Sequence, residues 1–508
     1  MTYSRRALLA SAARAAPLGL VPAAVLRAAE PAFTADPFSL GVASGYPEPN
    51  AIVLWTRLAP EPLAPRGGMP PEPVAVDWEI AADERFRRVA RRGRTYATPE
   101  WAHAVHVEVT GLTPAREYWY RFTSGGARSP AGRCKTAPAA GAASARLDLA
   151  VASCQHYESG HYAAYRAMAA DDLDVVVHVG DYIYENRGLS RARSHDAPEA
   201  YTLEDYRRRY ALYKTDPHLQ AAHAACAWMV TSDDHEVDND YAGARSEQDD
   251  PPELFLARRA AAYRAYYEHL PLPRRMVPFG AHQRLHAARA FGGLVELCAL
   301  DGRQYRDTQI CGRGLVAPCA QLLAAERSML GREQERWLEA RLRASRARWN
   351  LLAQQTVFAH MDQQSGDGVG YWGDGWSGYP AARARLASLF ADGVPANPVI
   401  LSGDVHAFLV NDVHARPGNL QSRVVATELV TTSISSAGPP QARLEEWSRE
   451  NGNVRLARSE YRGYTRIAVE PERLHAELVA VDDVGRAQSS THVLAAFDVE
   501  AGRPGVAR

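Results

Sequence analysis

Lysine is nearly absent from this sequence. Of its 58 basic residues only Lys135 and Lys214 are lysines, and the rest are arginines. We attribute this excess of arginine to coding bias rather than to the mechanism of the protein. The formal net charge is −1, so no overall field favours nucleic acid or an anionic membrane surface. Internal repeats and low-complexity tracts are also missing. With 46 % hydrophobic and 23 % charged residues, the composition is typical of a globular protein.

The sequence shows no predicted transmembrane segment. The N-terminal apolar run that ends near Leu26 is too short and too rich in alanine to cross a bilayer. It follows Arg5-Arg6, so residues 1–29 are predicted to be a twin-arginine export signal, with a disordered or amphipathic N-terminus as the alternative. This predicts a periplasmic or extracellular protein that engages the twin-arginine translocase during export.

Cysteine is also scarce, with six residues in 508. Cys311 and Cys319 bracket a short loop that contains glycine and proline, and they could close a small disulfide ring. Cys134, Cys226 and Cys298 lie beside strand-like stretches and are predicted to be buried thiols.

A chain of 508 residues is too long to fold around one compact core, so two domains are predicted after the signal. Between residues 30 and 140 short strand-like runs alternate with turns and show no helical period, which indicates a small antiparallel β-sandwich. The runs are Phe38–Arg57, Val74–Ile80, Ala104–Thr110 and Glu117–Phe122.

Strands alternate with helices over residues 145–485, which predicts one large α/β domain followed by a tail, residues 486–508. The predicted strands are Leu147–Ser153, Leu173–Val179, Trp228–Thr231, Leu294–Leu300, Trp349–Gln354 and Val399–Ser402. The predicted helices are Ala163–Ala170, Leu203–Tyr213, Glu253–His269 and Glu333–Ala347.

Four of these strands end in residue types that bind metals. Because the carboxyl ends of parallel strands lie along one edge of a sheet, the side chains can converge and predict a metal site. They are Cys154; Asp181 and Tyr184; Asp234 and His235; and Asp404 and His406.

The donor types point to two kinds of cation. Thiolate and phenolate suit trivalent iron, whereas carboxylates such as Asp234 and Asp404 suit an oxygen-preferring divalent ion. Asp181 could bridge the two. Paired cations a few Å apart fit an in-line attack on a phosphate ester.

The order of the motifs GDYIY, SDDHE and SGDVH is similar to that of calcineurin-like metallophosphoesterases. More specifically, the chain resembles PhoD-type alkaline phosphatases from about Phe38 to about Val481, through ASCQHYESG, HVGDYIYE, YRRRYALYKTD, DDHEVDND, RQYR, WSGYPAAR and SGDVH. The resemblance implies a four-layer αββα core preceded by a small β-sandwich. It also implies Fe³⁺ with one or two Ca²⁺ ions, phosphomonoesterase or phosphodiesterase activity, and twin-arginine export.

Carried over by position, the resemblance makes Cys154 and Tyr184 iron ligands and Asp181 a bridge to calcium. Asp234 stands where the superfamily has a metal-binding asparagine, and His235 matches the histidine that contacts substrate and protonates the leaving group.

Asp404 and His406 match the final motif of the family, with the metal of each unassigned. Arg303 and Arg383 are predicted to contact phosphate, since a guanidinium fits two phosphate oxygens. Asp233 and Glu236 are left open between supporting the ligands and lying on the surface.

The function predicted from these residues is an exported phosphatase in which a metal-bound hydroxide attacks the phosphorus of small phosphate esters directly. One alternative is a phosphodiesterase or phospholipase D of the same fold, favoured if Ser232, where the family usually has tryptophan, widens the pocket. Another is a non-catalytic exported binding protein. Specific nucleic-acid binding is not expected.

Overall fold

The computed structural model describes residues 32–188 and 192–507, so the predicted export signal at residues 1–29 lies outside the described residues. The N-terminal segment folds into eight strands separated by turns. They are β1 (Val42–Gly45), β2 (Ala51–Arg57), β3 (Val74–Ala81), β4 (Val89–Ala97), β5 (Ala104–Thr110), β6 (Glu117–Ser124), β7 (Ala127–Arg128) and β8 (Gly132–Lys135).

Strands and helices alternate in the larger part of the chain. The strands are β9 (Leu147–Ala152), β10 (Val175–His178), β11 (Ala227–Val230), β12 (Ala287–Phe291), β13 (Val295–Ala299), β14 (Leu315–Val316), β15 (Trp349–Ala353), β16 (Tyr371–Trp372), β17 (Pro398–Ser402), β18 (Phe408–His414), β19 (Val424–Val430), β20 (Val454–Arg458), β21 (Arg462–Val469), β22 (Arg473–Val481), β23 (Thr491–Glu500) and β24 (Arg503–Ala507). The α-helices are α1 (Ala163–Met168), α2 (Leu203–Lys214), α3 (Pro217–Ala225), α4 (Pro252–His269), α5 (Arg332–Ala344), α6 (Pro380–Ala391) and α7 (Gln441–Glu450).

Local sequence explains why these elements begin where they do. Strand β10 is fully buried, as the apolar run Val175–Val177 predicts for a central parallel strand. Helix α2 begins with a capping box in which Thr202 and Asp205 satisfy each other's backbone N–H groups. The six strands predicted beyond residue 145 are confirmed, with ends that differ by one or two residues. Helices α3, α6 and α7 were not predicted.

Two large sheets form the centre of the molecule. The first has the order β24-β23-β22-β21-β9-β10-β11-β1-β2-β5, and the second has the order β12-β13-β15-β17-β19-β18-β20. In the first sheet β9, β10, β11 and β1 run parallel, as do β13, β15, β17 and β19 in the second. Parallel strands of this kind are buried on both faces by helices or by another sheet.

The two sheets pack face to face and helices cover their outer faces. One apolar core joins Val151 and Val176 of the first sheet to Leu351 and Leu401 of the second. A separate core packs α5 and α6 on the outer face of the second sheet, for example through Leu338. The predicted αββα arrangement is therefore confirmed.

The N-terminal segment is β-rich, as predicted, and its two sheets share one apolar core. Strands β3, β4, β6, β7 and β8 form their own sheet, whereas β1, β2 and β5 extend the first central sheet through the parallel pair β1–β11. The C-terminal segment behaves in the same way, since β23 and β24 extend the other edge of that sheet. Long-range pairing therefore joins segments that the sequence pattern separates.

The predictions for the cysteines are confirmed. A disulfide joins Cys311 and Cys319, and the other four cysteines are buried free thiols. Over residues 32–188 and 192–507, none of the helices has the length and apolarity needed to pass through a bilayer.

Lys214 is buried where the N-terminal strands meet the α/β domain. Its Nζ lies 4.2 Å from the ring centroid of Trp55 and 5.8 Å from that of Tyr182, and no carboxylate among the described residues forms an ion pair with it. Burial lowers the pKa of Lys214 from its usual 10.5 to about 7. The folded protein therefore holds this amine neutral at alkaline pH.

We expect Lys214→Met to change the pH dependence of stability. Between pH 7 and 10 the unfolded chain keeps the proton that the folded chain has released, so wild-type stability should rise with pH, by up to about 1.4 kcal/mol per unit. The variant has no amine to titrate, so its stability lacks this dependence on pH. Its melting temperature should therefore exceed that of wild type by more at pH 7 than at pH 9. The control is Lys135→Met, which removes a half-exposed lysine that pairs with Asp174. Melting curves that shift in parallel for Lys214→Met and wild type would contradict the prediction.

Candidate metal centre

Four of the predicted metal ligands lie in left-handed backbone conformations just beyond strand ends. The φ angles are 59° at Cys154 after β9, 57° at Asp181 after β10, and 66° at Asp404 and 55° at His406 after β17. Each such non-glycine residue costs roughly 1–3 kcal/mol, and residues of this kind cluster at functional sites. Part of the backbone strain of the described residues is therefore found where the sequence predicts chemistry.

Gly180 allows two of these segments to touch. Its φ is +114°, and a Cβ placed on it would lie 2.3 Å from the Cβ of Asp233. Only glycine tolerates both the conformation and this close approach. The end of β10 is thereby fixed against the acidic segment that follows β11.

The strand ends come from both central sheets, which corrects the expectation of a single sheet edge. Cys154, Asp181 and Asp234 follow strands of the first sheet, whereas Asp404 and His406 follow β17 of the second. Because the sheets pack face to face, the carboxyl ends of their parallel strands meet at one end of the sandwich. The site is built across the two sheets.

The first group of candidate ligands contains a thiol, a carboxylate, an imidazole and a phenol. One ligand atom each from Cys154, Asp181 and His406 lies within 4.8 Å of the other two. The hydroxyl of Tyr184 donates to Asp181 Oδ2 at 2.8 Å and lies 3.2 Å from His406 Nε2. His406 is oriented by a 2.8 Å contact between its Nδ1 and the carbonyl oxygen of Ala437.

Two further groups extend the first into a chain. Asp181, Asp234 and His235 form one, and Asp234, Asp240 and Asp374 form the other, each with ligand atoms within 4.8 Å. Asp181 is thus shared by the first two groups and Asp234 by the last two. A chain of linked groups of this kind suits more than one cation.

The chemistry of these side chains fits bound cations. Asp181 Oδ1 is buried and has no hydrogen-bond partner among the described residues. Burial, reinforced by Asp181, raises the pKa values of the Cys154 thiol and the Tyr184 phenol, and burial likewise raises the pKa of Asp181. Anionic ligands in such a dry environment need compensating positive charge.

Comparison with known proteins identifies the family. Residues 149–478 match the family model of PhoD-like phosphatases, and residues 24–138 match the model of the N-terminal domain of PhoD-like phosphatases. The chain belongs to the PhoD-like phosphatase family. The enzyme class predicted from the sequence, a phosphoric ester hydrolase, is thereby confirmed.

Individual relatives of this PhoD-like phosphatase cover nearly the whole chain. Alkaline phosphatase D of Bacillus subtilis strain 168 is 43 % identical over 491 residues, which span 94 % of this chain and 84 % of that protein. A solved structure of PhoD has a TM-score of 0.90 and 41 % identity, with coverage of 94 % of this chain and 93 % of that one.

His235 of this PhoD-like phosphatase is held by a carboxylate on one side of its ring. Its Nδ1 lies 2.7 Å from Glu185 Oε2, and its ring centroid is 4.1 Å from that of Tyr184. Burial alone would lower the pKa of His235, but Glu185, Asp181 and Asp234 outweigh it and raise the pKa well above the usual value. A protonated His235 with Nδ1 bonded to Glu185 has Nε2 left for another partner.

Arg303 lies in the cluster, where it binds carboxylates. The side chain is fully buried and forms ion pairs with Asp233 and Asp374. Its Nη2 lies 3.6 Å from Asp234 and 3.7 Å from Asp404. These contacts neutralise and position the acidic residues, so the contact with phosphate predicted for Arg303 stays a prediction.

Arg383 is placed elsewhere. It lies in α6, where Nη1 donates to Ser377 Oγ at 3.1 Å and Nη2 lies 3.4 Å from His360 Nδ1. The described contacts of Arg383 do not include a residue of the three ligand groups. Its predicted role in binding phosphate therefore stays a prediction that no contact among the described residues supports.

Several residues that the sequence left unassigned hold the candidate ligands in place. Glu236, left open above, accepts hydrogen bonds from the backbone N–H groups of Asp181, Tyr182 and Asp233, so it supports the turn from inside. Ser436 Oγ lies 2.9 Å from the Tyr184 hydroxyl. Glu185 and Asp240 stand inside the quoted motifs and could have been found there, whereas Asp374 and Ser436 carry no local signal.

Ser232 does not open the site. It is completely buried, and its carbonyl oxygen accepts a 2.8 Å hydrogen bond from Gln355 Nε2. The pocket-widening effect considered for this position has no support in its surroundings.

Proposed function

We propose that this protein is an exported, metal-dependent phosphatase that hydrolyses small phosphate esters by direct attack of an activated water on phosphorus. The observation that carries the proposal is the set of three overlapping ligand groups joined through Asp181 and Asp234. Family membership supplies the reaction class, and the groups supply sites for the cations it needs.

The donor types divide the cations between two sites. Cys154, Tyr184, His406 and Asp181 would hold Fe³⁺, because a thiolate and a phenolate suit a trivalent ion. The oxygen ligands Asp234, Asp240 and Asp374 would hold Ca²⁺, with Asp181 between the two sites. Asp404 would belong with the oxygen ligands, because Arg303 Nη2 lies 3.7 Å from it and 3.6 Å from Asp234. When bound, such cations activate water and neutralise charge on the transferring phosphoryl group.

The protein's own residues carry the proton transfer. Glu185 fixes the ring of His235 through Nδ1, so Nε2–H is available to donate to the oxygen of the leaving alcohol. Proton donation at this atom removes the cost of expelling an alkoxide. Glu185 keeps its charge because His235 outweighs the burial that would raise its pKa.

A covalent intermediate on the protein is not part of this proposal. Cys154, the nucleophilic residue type in the cluster, is 1 % exposed and has its pKa raised by burial and by Asp181. A buried thiol that would serve as a metal ligand is not available to attack the substrate.

Export rests on the N-terminal Arg5-Arg6 pattern. The twin-arginine translocase is the partner that this implies, with a periplasmic or extracellular final location. The alternatives, a phosphodiesterase or phospholipase D of the same fold or a non-catalytic exported binding protein, have no specific observation in their favour.

Metal content and hydrolysis measured on the same preparation test the proposal. We expect about one iron per chain with calcium, a tyrosinate-to-iron absorption band in the visible, and hydrolysis of p-nitrophenyl phosphate faster than of bis(p-nitrophenyl) phosphate. The matched control is Tyr184→Phe, which should abolish the band. Active protein free of iron would refute the iron site, and metal-loaded protein inactive on both esters would refute the function.

A further inference from the structure

A short two-stranded β-ribbon lies beside the candidate oxygen ligands. Strands β14 and β16 pair antiparallel, with Leu315 opposite Trp372 and Val316 opposite Tyr371. Side chains alternate between the faces of a strand, so Leu315 and Trp372 share one face and Val316 and Tyr371 share the other. The disulfide between Cys311 and Cys319 encloses β14 and limits its freedom.

The two faces of this ribbon differ in their surroundings. Val316 is 6 % exposed, and the Tyr371 ring centroid lies 5.6 Å from that of His360, so this face packs against the protein. On the other face Leu315 is 43 % exposed and Trp372 is 42 % exposed. The neighbouring Val369 is 37 % exposed.

Glycines give the exposed face its shape. A Cβ added to Gly314 would lie 3.6 Å from the Trp372 ring, and a Cβ added to Gly370 would lie 3.1 Å from Leu315 Cδ1. The side chains of Trp372 and Leu315 therefore pack closely against glycine backbone that carries no Cβ atom. Of the eleven large apolar side chains exposed in the described residues, two belong to this ribbon and a third, Val369, precedes β16 by two residues, so they form a patch.

The base of the ribbon is bound to the candidate metal centre. Asp374, two residues after Trp372, belongs to the group with Asp234 and Asp240 and is paired with Arg303. Gln309, two residues before the disulfide, donates to Asp374 Oδ1 at 2.7 Å and to the carbonyl oxygen of Asp240 at 2.6 Å. Two residues of chain span at most about 7 Å, so the apolar face begins at the edge of the site.

We propose that this apolar face binds the alcohol part of the substrate and directs the enzyme to phosphate esters whose leaving alcohol is a flat, apolar ring. The inference rests on the proposed function, which puts the phosphoryl group at the carboxylate-rich cluster. The alcohol then extends away from the cluster, and the exposed indole of Trp372, two residues before Asp374, offers it an apolar surface at the cluster's edge. Flat rings stack on indole and lose apolar surface to water there.

The experiment compares two monoesters on wild type and Trp372→Ala. We expect kcat/KM for 2-naphthyl phosphate to fall about ten-fold in the variant, mainly through KM, with kcat/KM for glycerol 2-phosphate unchanged. The ratio of the two values is independent of the fraction of active enzyme. Trp372→Phe should restore most of the ratio, since it keeps a flat ring.

The matched control is Phe279→Ala, which removes an aromatic ring that is 77 % exposed and lies outside the ribbon. It should leave the ratio of the two esters unchanged. A ratio for Trp372→Ala equal to that of wild type would overturn the inference and leave the proposed function standing. Wild-type enzyme that hydrolyses neither ester would overturn both.

Discussion

Asp181→Asn should reduce phosphatase activity by more than the roughly 10–100-fold that loss of a residue supporting a metal ligand costs. Asp181 belongs to two ligand groups at once, and its Oδ1 has no other partner among the described residues. An amide keeps the shape of the side chain but loses the charge needed between two cations. Iron and calcium per chain, measured with activity on p-nitrophenyl phosphate, should both fall.

The control for this substitution is Asp412→Asn. Asp412 is also a buried carboxylate, but it pairs with Arg455 outside the ligand groups, so its loss should leave the metal content intact. After chelation, Asp181→Asn should be at least as thermally stable as wild type, because an unpaired buried carboxylate is costly. An Asp181→Asn protein with wild-type iron and calcium would show that Asp181 is not a shared ligand.

His235→Asn should have an effect that depends on the leaving group. General acid catalysis typically contributes about 10²–10⁴-fold, and it matters most when the departing alcohol is a poor leaving group. We therefore expect a large loss of kcat on an alkyl phosphate and a small loss on p-nitrophenyl phosphate, whose phenolate leaves without a proton. Rates on a series of esters with leaving alcohols of increasing pKa measure this difference.

Glu185→Gln separates orientation of the ring from proton donation. The amide can still accept a hydrogen bond from His235 Nδ1, so this variant should show the same dependence on the leaving group in a weaker form. His282→Asn, which changes an exposed histidine outside the ligand groups, should have no effect. If His235→Asn slows all esters equally, His235 does not donate the proton, and a role in binding would replace it.

The sequence by itself determined the types of the candidate ligands and the strands that they follow. Cys154, Asp181 and Asp404 each follow a short apolar run, and that local pattern is sufficient to predict a strand end that carries a candidate metal ligand. The alternation of strands and helices along the chain predicted one large α/β domain, whereas the four-layer αββα arrangement was implied by the family resemblance. These features depend on neighbours in sequence, where the pattern is readable.

Tertiary structure decided how the ligands are assembled and what surrounds them. The sequence could not show that Asp404 comes from a different sheet than Asp181, or that Arg303 binds Asp374, which is 71 residues away. Likewise, Ser436 reaches Tyr184 across 252 residues. Contacts at such separations follow from the packing of the two sheets, and composition or local periodicity carries no record of them.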